Sequence, residues 1–347
     1  MSDMTGVHRA RTTQLPARLR RLLADHRDDP VFRLEPATVG VTDPTLMDAI
    51  LTSRTATDIE RPTFRPLRGR SIPRHEATFL MREVGKDVRA ALDTPIDGVD
   101  LTGRWPDVVH EHLRNTVFGH DPQRMTVMVN RELERTPVLT WLTIAAAATP
   151  RLPSGDRELS ALATAVSTHG STYAGRRHAL GLYRRLAAPV CFTVAAVVTN
   201  AVWLGSPFDD SVPNSHIIAE SLRLLPVSWN ILRLASAGFT AVDPSIRSDD
   251  DVLLLPFLSH RSSQNFADPD QWQPQRWNDL DVDTHPGYLP FGHLSERCWG
   301  RHMVLPLASR ILDVVREQGL RIAEEQHSAS VPLAGMLGVT RVEVTRT

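Results

Sequence analysis

A chain of 347 residues with 39 basic and 40 acidic side chains carries a formal net charge of -1, which excludes the strongly basic character a nucleic-acid partner demands. Its 41% hydrophobic content suffices for a sizeable core, read here as a single domain over residues 1–347. Two cysteines, Cys191 and Cys298, are too few for a disulfide framework and point to a reducing, cytoplasmic setting, and Lys86 is the single lysine, an arginine bias that suggests high-GC, bacterial coding.

The arginine-rich start, RARTTQLPARLRRLLADHR, is amphipathic like a transit peptide. Asp25, Asp28 and Asp29, and the passage into VFRLEPATVGVTDPTL, instead predict a first helix leading into a strand. A strand and helix follow over residues 35–51, and apolar spacing predicts helices over 74–93 and 104–118. His110, Glu111 and His112 lack the i, i+4 histidine spacing of a zinc helix, which makes them solvated polar positions. The apolar run AAPVCFTVAAVVTNAVWLGSP, residues 187–207, is long enough to consider as a membrane span. Pro189, Thr193, Thr199 and Asn200 inside it, without a basic flank, predict a buried core helix that Pro189 bends, and neither signal peptide nor membrane anchor is expected.

Asn214 or Ser215 is placed to cap the next helix, IIAESLRLLP, in which Glu220 and Arg223 lie three apart and share a face. The alternating run DVLLLPFLSHR predicts strand pairing, residues 249–251 a solvated acidic turn, and NFADPDQWQPQRW an irregular meander. The ten residues FGHLSERCWG, Phe291 to Gly300, then set Cys298 in a glycine-flanked loop that opens a helix, RHMVLPLASRILDVVREQGL. Val304, Leu307, Ala308, Ile311, Leu312 and Val315 fall on one face of that helix. N–H groups and the helix dipole at such a position favour thiolate over thiol, and a thiolate binds a metal as an anion. The sequence holds no internal repeat, low-complexity tract or phosphate-binding glycine loop.

This order of ExxR helix, strand pair, PxRW meander and FG-(x)5-C-x-G resembles the C-terminal half of a cytochrome P450, the heme-thiolate oxygenase family, over roughly residues 187–344. The resemblance implies a mainly α fold with a small β region, the helical prism with minor sheets of that family, and a b-type heme (iron protoporphyrin IX). Cys298 matches the axial thiolate to heme iron, which pushes electron density onto the metal. Phe291 matches the ring that shields the sulfur, and Gly300 a close backbone approach behind it. Glu220, Arg223 and Arg276 match the family's buried, structural charge triad. Arg233 matches the strand arginine that grips a heme propionate, Arg297 offers a substitute cation beside the cysteine, and Arg70 or Arg74 is the candidate for the family's other propionate arginine.

Two departures stand out. Leu294 replaces a usual glycine, and Glu296 replaces a usual histidine or arginine, so the loop is remodelled or Glu296 turns outward from a propionate. The family's central helix carries a small-small-x-acid-Thr pattern whose acid and alcohol order water for proton delivery. In one register Ala187 and Ala188 are the small pair, Val190 stands for the acid and Cys191 for the alcohol; in the other Ala195 and Ala196 are small, Val198 stands for the acid and Thr199 is retained. The first is favoured because it shortens the chain less before Glu220, and the acid is absent from both. The implied function is oxidation of a small hydrophobic substrate in bacterial secondary-metabolite biosynthesis, with atypical oxygen activation. Electrons would come from a ferredoxin and ferredoxin reductase docking on Arg297, Arg301 and Arg310. Substrate is expected against Ala187, Ala188 and Ala195, Val227 and Leu232, and Leu333 and Leu337. Two alternatives remain: a peroxide-using or non-hydroxylating enzyme that rearranges, couples or desaturates, and a catalytically silent homologue that serves a partner enzyme.

Overall fold

The computed structural model describes residues 11–53, 74–96, 98–118, 178, 182, 188–292, 297–326, 330–333 and 337–346. Two compact units result, a larger one of residues 1–58, 102–106 and 196–347 and a smaller one of residues 59–101 and 107–195. Among the described residues helices predominate, with three small sheets.

In the larger unit the arginine-rich start becomes β1 (Thr12–Gln14) and α1 (Ala17–His26), followed by β2 (Val31–Glu35), β3 (Thr38–Val41) and α2 (Pro44–Thr52). Asp43 caps α2 by accepting the Leu46 N–H at 2.7 Å, and Pro44 at the first helical position loses no hydrogen bond there. Gly40 is dictated by packing, because a Cβ there would lie 2.6 Å from Phe32, whose ring stacks on His26 at 3.9 Å. The four-stranded sheet runs β2-β3-β6-β5, with β6 (Asp251–Leu254) parallel to β3 and β5 (Ile231–Leu234) antiparallel to β6. Val39, Val41, Met47, Ile50, Phe239 and Leu254 form the core that joins this sheet to α2 and to α7 (Ala237–Val242).

The apolar run contributes α5 (Ala188–Gly205). It is apolar on every face and accordingly buried from Val194 to Trp203, Thr199 and Asn200 included. Among the described residues no helix is long and apolar enough to cross a membrane. The turns that would precede Pro189 lie outside the described residues, and with them the expected bend.

The ExxR segment is α6 (Asn214–Leu224), but neither Asn214 nor Ser215 caps it. The cap position is Pro213, and the Asn214 amide instead donates to Asp313 at 2.6 Å and to the Ser309 carbonyl at 3.1 Å. The expected strand pair in DVLLLPFLSHR also differs: only β6 is extended, and Pro256 opens a short helix, α8 (Pro256–Ser259). Val252 to Ser262 are all buried, so packing on both sides overrides the alternating pattern. The acidic turn is not fully solvated either. Asp250 is 3% exposed and binds Arg33 through both carboxylate oxygens at 3.0 and 2.9 Å; that pairing lowers its carboxyl to about 2.

The final helix, α9 (Arg301–Glu317), buries the face foreseen from its spacing, with Val304, Leu307, Ala308, Ile311, Leu312 and Val315 all at 3% exposure or less. Beyond it, β7 (Leu320–Ile322) and β4 (Gly103–Trp105) flank β9 (Val342–Arg346), while β8 (Ser330–Pro332) pairs with β1.

The smaller unit packs α3 (Arg74–Leu92) on α4 (Asp107–Phe118), burying Val84, Val88, Val109 and Leu113. His110 belongs to this buried face at 9% exposure, contrary to its expected solvation. Burial, aided by the Arg114 charge, pushes its imidazole down to about 4.

Leu254 stands opposite Val41 and Ile231 in the sheet at 0% exposure. Leu254→Ala should therefore cost about 2–5 kcal/mol, read as a lower urea midpoint with an unchanged m value.

Candidate functional site

The site grows out of one charged pair. Glu220 and Arg223 are both 0% exposed, and their i, i+3 spacing on α6 lets the guanidinium fork onto the carboxylate, Nε to Oε2 at 2.9 Å and Nη2 to Oε1 at 2.8 Å. Oε1 also accepts the Gln273 N–H at 2.9 Å and Arg276 Nε at 3.3 Å, while Oε2 accepts Trp277 Nε1 at 3.1 Å. Arg223 gives its remaining donors to the carbonyls of His260, Pro269 and Gln271. The predicted trio of Glu220, Arg223 and Arg276 therefore meets. Its hydrogen bonds wrap the meander of residues 260–277 around α6, and a short 3-10 turn (Pro274–Asn278) brings in Arg276 and Trp277.

The meander leads to the cysteine loop. The Tyr288 hydroxyl donates to the Ala219 carbonyl at 3.1 Å, and the Leu289 N–H donates to His260 Nε2 at 2.7 Å. Gly292 then takes φ +88, a conformation open to glycine. The Cys298 N–H closes the loop by donating to the Phe291 carbonyl at 2.6 Å, and the chain enters α9 three residues later. The Cys298 thiol is exposed and outside any disulfide.

Several expected roles shift in this geometry. Phe291 meets the cysteine through its carbonyl. A Cβ on Gly300 would stand 3.5 Å from the Cys298 sulfur, an ordinary contact, so this loop does not require the close approach expected of that glycine. Arg297 donates to Asp283 Oδ1 at 2.7 Å and to the Asp283 carbonyl. Arg301 shares the same carboxylate at 3.2 Å, and Arg310 is half-buried, so the three arginines do not form an open basic face. A cavity of about 170 Å3 lies beside the loop, lined among others by Ile218, Ala219, Phe291, Gly292, Arg301 and Leu305.

Arg233 is half-buried on β5 between Leu232 and Leu234, which are 55% and 56% exposed, and its Nη1 donates to the Leu232 carbonyl at 3.0 Å. Val227, Leu333 and Leu337 are buried, at 6%, 9% and 0% exposure, and line no part of the cavity by the loop. Leu337 belongs to a turn held by a residue the sequence marks only as a polar interruption of the apolar run. Asn200 Nδ2 donates to the Leu337 carbonyl at 3.0 Å and the Leu225 carbonyl at 3.4 Å, and Asn200 Oδ1 accepts the Val339 N–H at 2.9 Å. Asn200 thus ties α5 to the end of α6 and to the turn at Leu337, one of the two turns assigned to substrate. Cys191 is buried, and burial pushes its thiol up, so it stays protonated at neutral pH, as the alcohol whose place it takes would be. Arg70, Ala187, Leu294 and Glu296 lie outside the described residues, as do the side chains of Arg74 and Ala188.

His260 also escaped the sequence, and Trp277 entered it only as the last letter of PxRW. A histidine at the end of an apolar run becomes informative only once its burial is known. Burial, with the neighbouring charge of Arg223, pushes the His260 imidazole down to about 3.

A family model described as Cytochrome P450 matches residues 215–305. Cytochrome P450 3A15 of Cavia porcellus is 33% identical over 92 residues, 26% of this chain and 18% of that protein. Cyclooctat-9-en-7-ol 5-monooxygenase of Streptomyces melanosporofaciens is 26% identical over 166 residues, 46% of this chain and 35% of that protein. The matches thus span little more than a third of these curated relatives at most. The solved structure of CYP154A1 from Streptomyces coelicolor A3(2) aligns with TM-score 0.60 over 97% of this chain and 99% of its own, at 18% identity.

Two outcomes follow from this geometry. Glu220→Gln removes the anion that holds two arginines and should cost about 3–5 kcal/mol in denaturant unfolding, the usual effect of leaving a buried charge uncompensated. The second outcome is a pH dependence. His110 and His260 stay neutral in the fold down to about 4 and about 3, while the unfolded chain takes up those protons near the ordinary 6.5. Their contribution is therefore complete above pH 6.5 and is lost as pH falls below it, so urea midpoints should be level above that pH and decline steadily beneath it.

Proposed function

We propose that this chain, whose residues 215–305 match the Cytochrome P450 family model and whose fold aligns with that of a solved P450, is a heme-thiolate oxidoreductase acting on a small hydrophobic molecule. The observation that carries this reading is the exposed Cys298 thiol at the entrance to α9, tied by its own amide to the Phe291 carbonyl on a scaffold fixed by Glu220 and Arg223.

The residues present fit a b-type heme. A soft, anionic sulfur ligand suits iron, and the helix dipole and N–H groups at the entrance to α9 favour its thiolate. Arg233, whose Nη1 holds the Leu232 carbonyl, carries the planar guanidinium that this reading assigns to a propionate, flanked on β5 by the exposed side chains of Leu232 and Leu234, which suit an apolar macrocycle. Heme, when bound, supplies the oxidising chemistry, with the thiolate donating electron density to the metal. The triad keeps a structural role in this reading: it holds the meander, and the meander holds the loop.

Proton delivery is where this chain departs from its family's pattern. Val190 in one register, or Val198 in the other, stands where a carboxylate is expected, and the Asn200 amide is committed to the Leu225, Leu337 and Val339 backbone. In the latter register Thr199 keeps the hydroxyl, at 0% exposure. The absent acid favours a second reading, in which peroxide, arriving with its own oxygen bond and protons, replaces dioxygen and an electron donor.

The relative named for cyclooctat-9-en-7-ol makes an apolar alcohol of secondary metabolism a fitting substrate class. A ferredoxin with its reductase would supply electrons to the dioxygen route, and the pairing of Arg297 and Arg301 with Asp283 leaves the docking face less basic than the sequence alone implies.

The test is cofactor content followed by turnover. Purified protein supplied with heme should carry about one per chain, extractable by acid solvent as a non-covalent b-type group, and Cys298→Ala should bind it weakly. Turnover of apolar alcohols with ferredoxin, reductase and dioxygen supports the first reading, turnover with peroxide alone the second, and absence of heme uptake overturns both.

A further inference from the structure

Building on the heme-thiolate reading, we propose that His260 is a positioning residue for the cysteine loop, holding the segment that enters it through the Leu289 amide. His260 sits directly after α8 at 0% exposure. Its Nε2 accepts the Leu289 N–H at 2.7 Å, and its Nδ1 lies 3.2 Å from the Arg223 carbonyl oxygen. A backbone N–H can only donate and a carbonyl can only accept, so the two partners fix one tautomer, with the ring proton on Nδ1. The neutral imidazole is therefore a bridge from the end of α6 to the start of the loop.

Beyond Leu289 the chain has only Pro290 before Phe291, whose carbonyl accepts the Cys298 N–H at 2.6 Å. Arg223, His260, Leu289, Phe291 and Cys298 thus form one line of restraint from the buried ion pair to the ligand's own backbone. Tyr288 completes it, stacking on the His260 ring at 5.4 Å while its hydroxyl holds the Ala219 carbonyl at 3.1 Å. The charged groups facing the ring are the Arg223 and Arg261 guanidiniums, both of which favour its neutral form, as does burial. A protonated ring would lose its acceptor and release Leu289. Removing the ring strands the buried Leu289 N–H without a partner and leaves Pro290 and Phe291 tied to the scaffold by fewer bonds.

Three substitutions test the bridge. His260→Phe keeps most of the volume and removes both hydrogen bonds. His260→Gln restores a donor and an acceptor side by side, and His260→Asn, a shorter amide, reaches the Arg223 carbonyl alone. Two quantities are measured beside a thermal melt: hydrogen exchange of the peptide spanning residues 286–292 in the heme-free protein, and the rate of heme transfer from the loaded protein to excess apomyoglobin.

His260→Phe, and His260→Asn where the phenylalanine variant does not fold, should lose exchange protection at Leu289 and release heme about 10–100-fold faster, the effect typical of removing a partner that orients a ligand. His260→Gln should recover most of both. A lowered melting temperature with Leu289 still protected and heme transfer unchanged overturns the proposal and leaves His260 a space-filling residue. If the wild-type protein takes up no heme, the heme-thiolate reading falls, and exchange at Leu289 still decides whether His260 holds the loop.

Discussion

The ion pair between Glu220 and Arg223 is the constraint on which the surroundings of Cys298 depend. Two opposite charges at 0% exposure cost several kcal/mol each in lost hydration, and only full hydrogen bonding offsets this. The chain supplies that bonding from a distance. Arg276, Trp277 and the Gln273 amide converge on the carboxylate, and the carbonyls of His260, Pro269 and Gln271 converge on the guanidinium. Because these partners belong to a stretch with little regular structure, satisfying the pair is what gives the meander its path. Arg276 and Arg223 also point toward the face of Phe266, at 6.0 and 5.2 Å, so apolar packing joins the same cluster.

The ordered meander carries consequences for chemistry. A loop bearing an exposed thiol is useful as a ligand only where its backbone is fixed, and here the fixing runs from α6 through the His260 ring and the Phe291 carbonyl. On α5, Asn200 does a comparable service for the turn at Leu337, where φ is +47 in a non-glycine residue. An amide spent on three backbone groups is not available to carry protons.

Much of this was visible before the structure. The ExxR spacing, the arginine of PQRW and the cysteine ahead of an amphipathic helix are local patterns, and local patterns survive in a linear string. Burial is not local, and there the sequence misled. His110 and Asp250 look like solvated polar residues because nothing in their neighbours announces a packing face or the arrival of Arg33 from a distant strand. Asn214 looks like a helix cap until Asp313 competes for its amide. DVLLLPFLSHR alternates on paper, yet both its faces are covered, so Pro256 decides its conformation more than periodicity does. The contacts of Asn200 on α5 with Leu225 and Leu337 were likewise out of reach, because they join residues 25 and 137 positions apart in the chain.

The most direct test of the central claim is the carbon monoxide difference spectrum of the dithionite-reduced protein, recorded for wild type and for Cys298→Ala. The account predicts a strongly red-shifted Soret band in the wild type that is absent from the variant, the signature of a thiolate-ligated heme. A band at the position given by a histidine or neutral-thiol ligand, or one that survives removal of Cys298, would contradict it.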